Sequence, residues 1–384
     1  MQTALTMPDG HKTYNRMNIL QIFPGKIWGG AEQYVADLGK ALESKGHNVE
    51  YAGYDREALV SQLNARGIKC ELFRNCPGGL FGGSLFLADL VRKADIVHVH
   101  HPKFVPVVAR TISKVGSNAR IVLTRHETRR KKIKFWNRKY YDRVGAVICV
   151  SDCVRDNWTD ANKWLPQDKC VTVLNSIPDN PSAEVPSLRE KYGIPAVETI
   201  LMFCGRIRKS KGCTILIEAL AKISRAEWHL VLVGDCYPKS YEKELSDMAA
   251  KRNVGDRVHF YGSVKNARDL MRQADIGVAP SIVREAGSLV ILEFLQAGAC
   301  VIASNSGSQS EYILSGKTGF LVKAGDTDKL AEALDNVLQH RQLRHDVAAA
   351  GKTHFINDLS YDKFIAKVEA IYLQAISSSP THSN

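Results

Sequence analysis

The chain has 384 residues, 45% hydrophobic and 24% charged, a globular balance that excludes a largely disordered chain and, at roughly 150 residues per domain, points to two domains. No apolar run approaches the ~18 residues of a membrane span, and the first sixteen residues, with Pro8 and Gly10, lack an apolar signal core, so a secreted or membrane-spanning protein is not expected. The formal charge of +12 asks for an anionic partner: nucleic acid, a membrane surface or a phosphorylated small molecule.

After a flexible tail over residues 1–16, short apolar runs alternate with amphipathic stretches. The first series predicts strands at residues 18–23, 49–52, 68–73, 95–99, 120–123, 146–150 and 171–174. Between the first two, Ala31, Tyr34, Val35, Leu38 and Leu42 keep the spacing of a helix, and Gly46 supplies a left-handed stop. Pro178, Pro181 and Pro186 punctuate a polar stretch over residues 177–187 and mark the break between halves. The second series predicts strands at residues 199–204, 229–233, 258–261, 275–279, 300–303 and 319–322, with Ile215, Leu216, Ala219, Leu220 and Ile223 on a helix. Tyr361, Phe364, Ile365, Val368, Ile371 and Tyr372 predict one more helix, and residues from Ser377 onward a frayed end.

Strands separated by helices imply βαβ units and parallel sheets. The expected class is α/β, with an N-terminal doubly wound domain over residues 17–180, a second over residues 188–358, and the last helix within residues 359–384. Nine scattered cysteines with no CxxC pair read as reduced thiols in a cytoplasm, without a zinc site.

Gly205-Arg-Ile-Arg-Lys-Ser-Lys-Gly212 follows a strand and opens a helix. Free amides and the positive end of the dipole attract phosphate there, and Arg206 and Lys211 add two cations. The spacing fits neither a Walker loop nor a nicotinamide fingerprint, and a solvated basic loop is the plain alternative. Glu285 and Glu293 are eight positions apart; on one continuous helix they would point about 80° apart. With Glu285 in the preceding loop and the helix starting near Gly287 and Ser288, the amides of Gly287, Ser288 and Leu289 face an anion, and Glu293 reaches a diol such as a ribose. The alternative makes both glutamates ordinary solvated residues, which the apolar run Leu289-Val-Ile-Leu292 opposes, since bare carboxylates are costly on a buried helix.

His98, His100, His101 and His126 follow two strand ends, where doubly wound folds hold ligands; a structural role is the alternative for His126. No third ligand accompanies His98 and His100, so no metal is expected. Asp326-Thr-Asp328 precedes Lys329-Leu-Ala-Glu-Ala-Leu and reads as a helix cap rather than a cation-holding pair. From Arg125 to Arg143 nine Lys or Arg face only Glu127 and Asp142, with Phe135, Trp136, Tyr140 and Tyr141 interleaved. That composition suits an anionic membrane, stacked nucleic-acid bases or a solvated helix.

These features, with Trp28-Gly-Gly-Ala-Glu32, Asp95-Ile-Val-His-Val-His100, Thr124-Arg-His126, Val150-Ser151, Val233-Gly234, Phe260-Tyr-Gly262, Ala274-Asp275, Pro280-Ser281, Ala297-Gly298 and Gly307 followed by Glu311, give a chain that resembles glycosyltransferase family 4. The resemblance spans nearly the whole sequence. It implies the GT-B architecture: two Rossmann-like domains facing a cleft, the nucleotide-sugar donor on the C-terminal one, and a last helix crossing back onto the N-terminal domain.

By the same resemblance, Arg206 and Lys211 neutralise the donor diphosphate, Glu293 holds the ribose, and Glu285 contacts the transferred sugar. His126 lines that sugar near the reacting carbon. Gly29 and Gly30 let backbone approach the phosphates or acceptor, and Ser263 and Val264 border the base. The family commonly has an aromatic and then a glycine where this chain has Gly287 and Ser288; the amides survive that change, but local shape, and sugar choice with it, is altered.

The implied outcome is retention by front-face attack, with no cofactor and no metal. Two cations and a helix N-terminus stabilise the departing diphosphate, and no residue is placed as a nucleophile for a covalent intermediate. The expected enzyme is a cytoplasmic hexosyltransferase or N-acetylhexosaminyltransferase, peripheral on the inner membrane face. Its donor would be a nucleoside-diphosphate sugar, UDP by family precedent, and its acceptor a lipid-linked or lipopolysaccharide-core glycan. An anionic membrane would be met through Arg125–Arg143, with no nucleic acid as partner. The alternatives are a GT-B sugar-nucleotide epimerase, against which the Glu-x7-Glu pair speaks, a phosphorylase, for which no cofactor lysine is apparent, and a non-catalytic polyanion- or nucleic-acid-binding protein.

Overall fold

A computed structural model describes residues 16–74, 85–179, 184–264 and 267–377. Residues 1–15 of the expected tail, Cys76, Pro181 and the end beyond Ser377 lie outside them. Among the described residues thirteen strands form, each overlapping an expected run. β1 (Asn18–Ile22), β2 (Asn48–Tyr54), β3 (Glu71–Phe73), β4 (Ile96–Val99), β5 (Arg120–Arg125), β6 (Val144–Cys149) and β7 (Cys170–Thr172) make a seven-stranded sheet in the order β3-β2-β1-β4-β5-β6-β7. β8 (Thr199–Cys204), β9 (Trp228–Val233), β10 (Val258–Gly262), β11 (Ile276–Ala279), β12 (Cys300–Asn305) and β13 (Phe320–Lys323) make a six-stranded sheet in the order β10-β9-β8-β11-β12-β13. The pairing is parallel in both.

The second sheet shows why unbroken apolar runs become strands here. Alternate side chains feed opposite faces, and both faces are covered. Leu201, Phe203, Leu230 and Leu232 enter a core shared with Leu216 and Ile217 of the helix Cys213–Ala221 and Leu330 and Leu334 of the helix Thr327–Gln339. Ile200, Met202, Val231 and Val233 enter the other core, shared with Ile291, Phe294 and Leu295 of the helix Leu289–Ala297. Phe294 is fully buried against β11 because Gly277 leaves it room: a Cβ there would stand 2.3 Å from the Phe294 ring. Burial of such a side chain contributes about 1.5–3 kcal/mol, and Gly277→Ala would displace it.

In both sheets the chain reverses its order of strand addition, between β1 and β4 and between β8 and β11. The crevice outside the carboxyl ends of such strands is where α/β sheets take ligands. By packing, the chain divides into two compact units, one of the described residues up to Val99 with Lys103–Ile121, the other of His100–Pro102 and Val122 onward.

The helix Gly30–Ser44 ends before Gly46 at φ +91°, in the left-handed conformation expected of that stop. Asp326 caps the helix Thr327–Gln339, its Oδ1 accepting the Lys329 N–H at 3.0 Å, so the Asp-Thr-Asp run is a cap. The helix Tyr361–Ser377 packs on β6, where Gly145 accommodates Ala375.

Candidate functional site

The switch point of the second sheet is built from two loops that touch. After β8 the chain runs through Arg206 to a short 3-10 turn, Lys209–Lys211, and enters the helix Cys213–Ala221 through Gly212. Gly212 sits at φ +77°, which only glycine adopts readily, and a Cβ on it would lie 2.0 Å from the Pro280 carbonyl oxygen of the loop after β11. The Ile282 N–H donates to the Ser210 carbonyl at 3.0 Å. This close backbone approach brings together two charged side chains that are 74 positions apart in the chain: Lys211 Nζ donates to Glu285 Oε1 at 2.6 Å.

Ser281 Oγ lies 2.5 Å from the same Glu285 oxygen and 3.3 Å from the Ser210 carbonyl. Its single proton goes to the carboxylate, the shorter and charge-assisted of the two. The Lys211 and Glu285 side chains are 27% and 19% exposed, screened from bulk water but open enough to meet a ligand. The Ser308 N–H holds the Glu285 carbonyl at 3.1 Å.

Glu285 stands in the loop, and the helix begins at Leu289 with Ser288 as its buried cap residue. The Ser288 side chain makes no capping bond among the described residues, so it leaves the first-turn amides and the positive end of the dipole to an anion. Glu293, farther along, is satisfied by Arg268, whose Nε donates to it at 3.2 Å and whose Nη1 donates to the Pro178 carbonyl at 3.2 Å. Burial, and then the Glu293 carboxylate, push the Cys204 thiol far above its ordinary pKa, which puts Glu293 beside the end of β8.

Arg206 is exposed on the loop there and forms no ion pair among the described residues. The ends of β8, β9 and β10 are tied together by the Gly205 N–H to the Val233 carbonyl and the Gly234 N–H to the Gly262 carbonyl, both at 2.9 Å. Ser263 is exposed just beyond, and Val264 packs on the core. The structure thus joins Lys211 to Glu285 directly, in the loop that leads to the helix start, and places Arg206 and Ser263 just past strand ends of the same sheet, with Glu293 on the helix Leu289–Ala297.

His126 follows β5; its Nε2 lies 3.1 Å from His100 Nδ1, the rings stacked at 5.4 Å. Burial, then the positive charges of Arg125 and His101, lower its pKa to about 3, so the imidazole is neutral. In the first compact unit Gly29 caps the helix that Gly30 begins. The Glu32 carboxylate folds back on this loop, accepting backbone N–H groups of Gly25, Gly29 and Glu32 itself, while burial raises its pKa. A Cβ on Gly25 would stand 2.5 Å from Glu32 Oε1.

Three contributors had no role of their own in the sequence reading: Arg268, Ser281 and Glu32. Only Ser281 and Glu32 carried a signal, as members of motifs. The basic segment also differs from a plain amphipathic helix. Residues 126–134 form no regular element and Phe135–Arg143 is a 3-10 helix. Asn162 anchors the stretch by accepting the Ile133 N–H and donating to the Lys131 carbonyl, both at 2.9 Å. Tyr141 is buried, whereas Phe135 and Trp136 are 73% and 53% exposed, with Lys134 Nζ 5.0 Å from the Trp136 ring.

Comparison with known proteins adds the family. The family described as Glycosyltransferase Family 4 matches residues 28–180, and Glycosyl transferases group 1 matches residues 184–354. The chain is 30% identical over 275 residues to a lipopolysaccharide 1,2-N-acetylglucosaminetransferase of Salmonella typhimurium, covering 68% of each chain. Among solved structures it is similar to a glycosyltransferase from Rickettsia africae (TM-score 0.83, 24% identity, 95% of this chain and 100% of that one). It is also similar to Anabaena Alr3699/HepE in complex with UDP and glucose (TM-score 0.77, 22% identity, 92% of this chain and 99% of that one). With its two parallel Rossmann-like sheets, the chain belongs to the family 4, group 1 glycosyltransferases of GT-B fold.

Proposed function

We propose that this glycosyltransferase moves a hexose or N-acetylhexosamine, with retention and without a metal, from a nucleoside-diphosphate sugar, UDP the expected carrier, to a lipid-linked or lipopolysaccharide-core glycan at the cytoplasmic face of a membrane. The observation that carries the reading is the Lys211–Glu285 contact at the β8–β11 switch point, beside the start of the helix Leu289–Ala297. Breaking a glycosyl–phosphate bond develops negative charge on the diphosphate and positive charge at the anomeric carbon. Lys211, the exposed Arg206 and the helix amides suit the first, and Glu285 suits hydroxyls of the transferred sugar. Glu285 is already engaged by Lys211 and Ser281, which argues for a binding role over a nucleophilic one. Glu293 lies by the end of β8, within the setting expected for a ribose contact.

The Salmonella relative, named for transfer of N-acetylglucosamine to lipopolysaccharide, and the Anabaena structure with UDP and glucose support the donor and acceptor classes. Phe135 and Trp136, exposed beside Lys131, Lys132 and Lys134, support attachment to an anionic membrane, with apolar rings for the interface and cations for the headgroups. The test is incubation of the purified protein with UDP-, GDP- and ADP-sugars in excess EDTA, following donor consumption and product anomer by NMR. The expected result is consumption of a UDP-sugar with its anomeric configuration kept. Consumption of no donor, or an inverted product, would refute the reading.

A further inference from the structure

Behind the loop that carries Glu285 lies a contact that the chemistry above does not use. Asn175, just past the end of β7, is 6% exposed. Its N–H donates to the Tyr312 hydroxyl at 3.2 Å, and that hydroxyl in turn lies 3.5 Å from the Val150 carbonyl it donates to. The Asn175 carboxamide covers Gly287: a Cβ built there would stand 2.4 Å from Asn175 Nδ2, 3.3 Å from its Cγ and 3.4 Å from the Tyr312 hydroxyl. The φ of Gly287 lies outside the left-handed region, so its backbone conformation does not require glycine. The requirement is for space, and Asn175 imposes it: with the carboxamide gone, only the ordinary contact with Tyr312 remains. Asn175 Oδ1 is buried without a hydrogen-bond partner among the described residues, which is unfavourable for a buried carbonyl oxygen.

Resting on the functional reading above, we propose that Asn175 is a positioning residue, its carboxamide matched to Gly287 so that the 285–288 loop presents Glu285 and the helix amides in register with the donor. The residue acts through the loop and touches no reacting atom. A displacement of about 1 Å in such a loop costs on the order of 100-fold in turnover.

The test is a double-mutant cycle on the full chain, reading kcat, KM, UDP affinity by calorimetry and melting temperature. Gly287→Ala should lower kcat on the order of 100-fold with a smaller loss of UDP affinity, because the helix amides shift with the loop while Arg206 and Lys211 stay in place. Asn175→Ala should lower kcat by a smaller factor. Asn175→Ala combined with Gly287→Ala should recover to the level of Asn175→Ala alone, in both turnover and melting temperature, since the methyl then enters the vacated space. A Gly287→Ala protein as active as wild type, or a double variant no better than Gly287→Ala, overturns the proposal. Should Gly287→Ala fail to fold, a folded double variant is itself the rescue, and an unfolded one counts against the match. A wild type that consumes no nucleotide sugar would defeat the functional reading instead, because the melting rescue reads the Asn175–Gly287 fit without substrate.

Discussion

Lys211 faces a choice of partner. In the free protein its ammonium lies 2.6 Å from Glu285 Oε1; with a diphosphate present it has a second, more highly charged acceptor. A charge-assisted hydrogen bond of this kind is worth about 1.5–3 kcal/mol. The side chain is 27% exposed, so solvent screening favours the lower half of that range. At about 1.4 kcal/mol per tenfold, Lys211→Ala should weaken UDP roughly 10- to 40-fold, and less at high salt, where exposed charge is screened. Glu285→Gln keeps the volume and the Ser281 contact but removes the competing charge. It should leave UDP binding unchanged or somewhat tighter while abolishing transfer, and Glu285→Ala should likewise lose transfer with diphosphate binding largely intact. Calorimetry with UDP, paired with a transfer assay, reads both. Lys211→Ala binding UDP as tightly as wild type, or Glu285→Gln turning over normally, would refute the reasoning.

Asp326→Ala should cost about 1 kcal/mol in urea denaturation through loss of the helix cap and leave turnover unchanged, with or without EDTA; metal-dependent loss of activity would reverse the capping assignment. His126, at about 3 in the folded chain against an ordinary 6.5, binds its proton more readily when unfolded. Stability should therefore fall as pH drops from about 6.5 towards 3, by at most about 1.4 kcal/mol per pH unit. His259, lowered to about 4 by burial and by His229, adds the same sign. Denaturation at pH 5 and pH 7 should show a smaller difference in His126→Asn, and an unchanged difference would contradict a half-buried neutral imidazole. Phe135→Ser with Trp136→Ser should reduce cosedimentation with vesicles containing anionic lipid and leave UDP affinity as it was; equal cosedimentation would remove these two rings from the membrane contact.

What was legible in the sequence follows from local physics. Strands buried on both faces must be nearly continuous apolar runs, as at Thr199–Cys204 and Trp228–Val233, and helices between them must carry an apolar stripe, so the α/β class and the thirteen strand positions could be read directly. Gly46 and Asp326 were equally readable, because a left-handed stop and an N-cap depend on immediate neighbours. The site was legible only as far as its motifs: Arg206, Lys211, Glu285 and Glu293 announced themselves by residue type and order.

Their partners did not, because those contacts are made through space. Arg268 reaches Glu293 across 25 positions, the backbone of Pro280 presses on Gly212, and Asn175 comes down on Gly287 from a different strand end. No periodicity encodes such meetings, since they depend on strand order. Only by adding β11 to the far side of β8 does the second sheet bring Lys211 to Glu285 and turn two distant charges into one site.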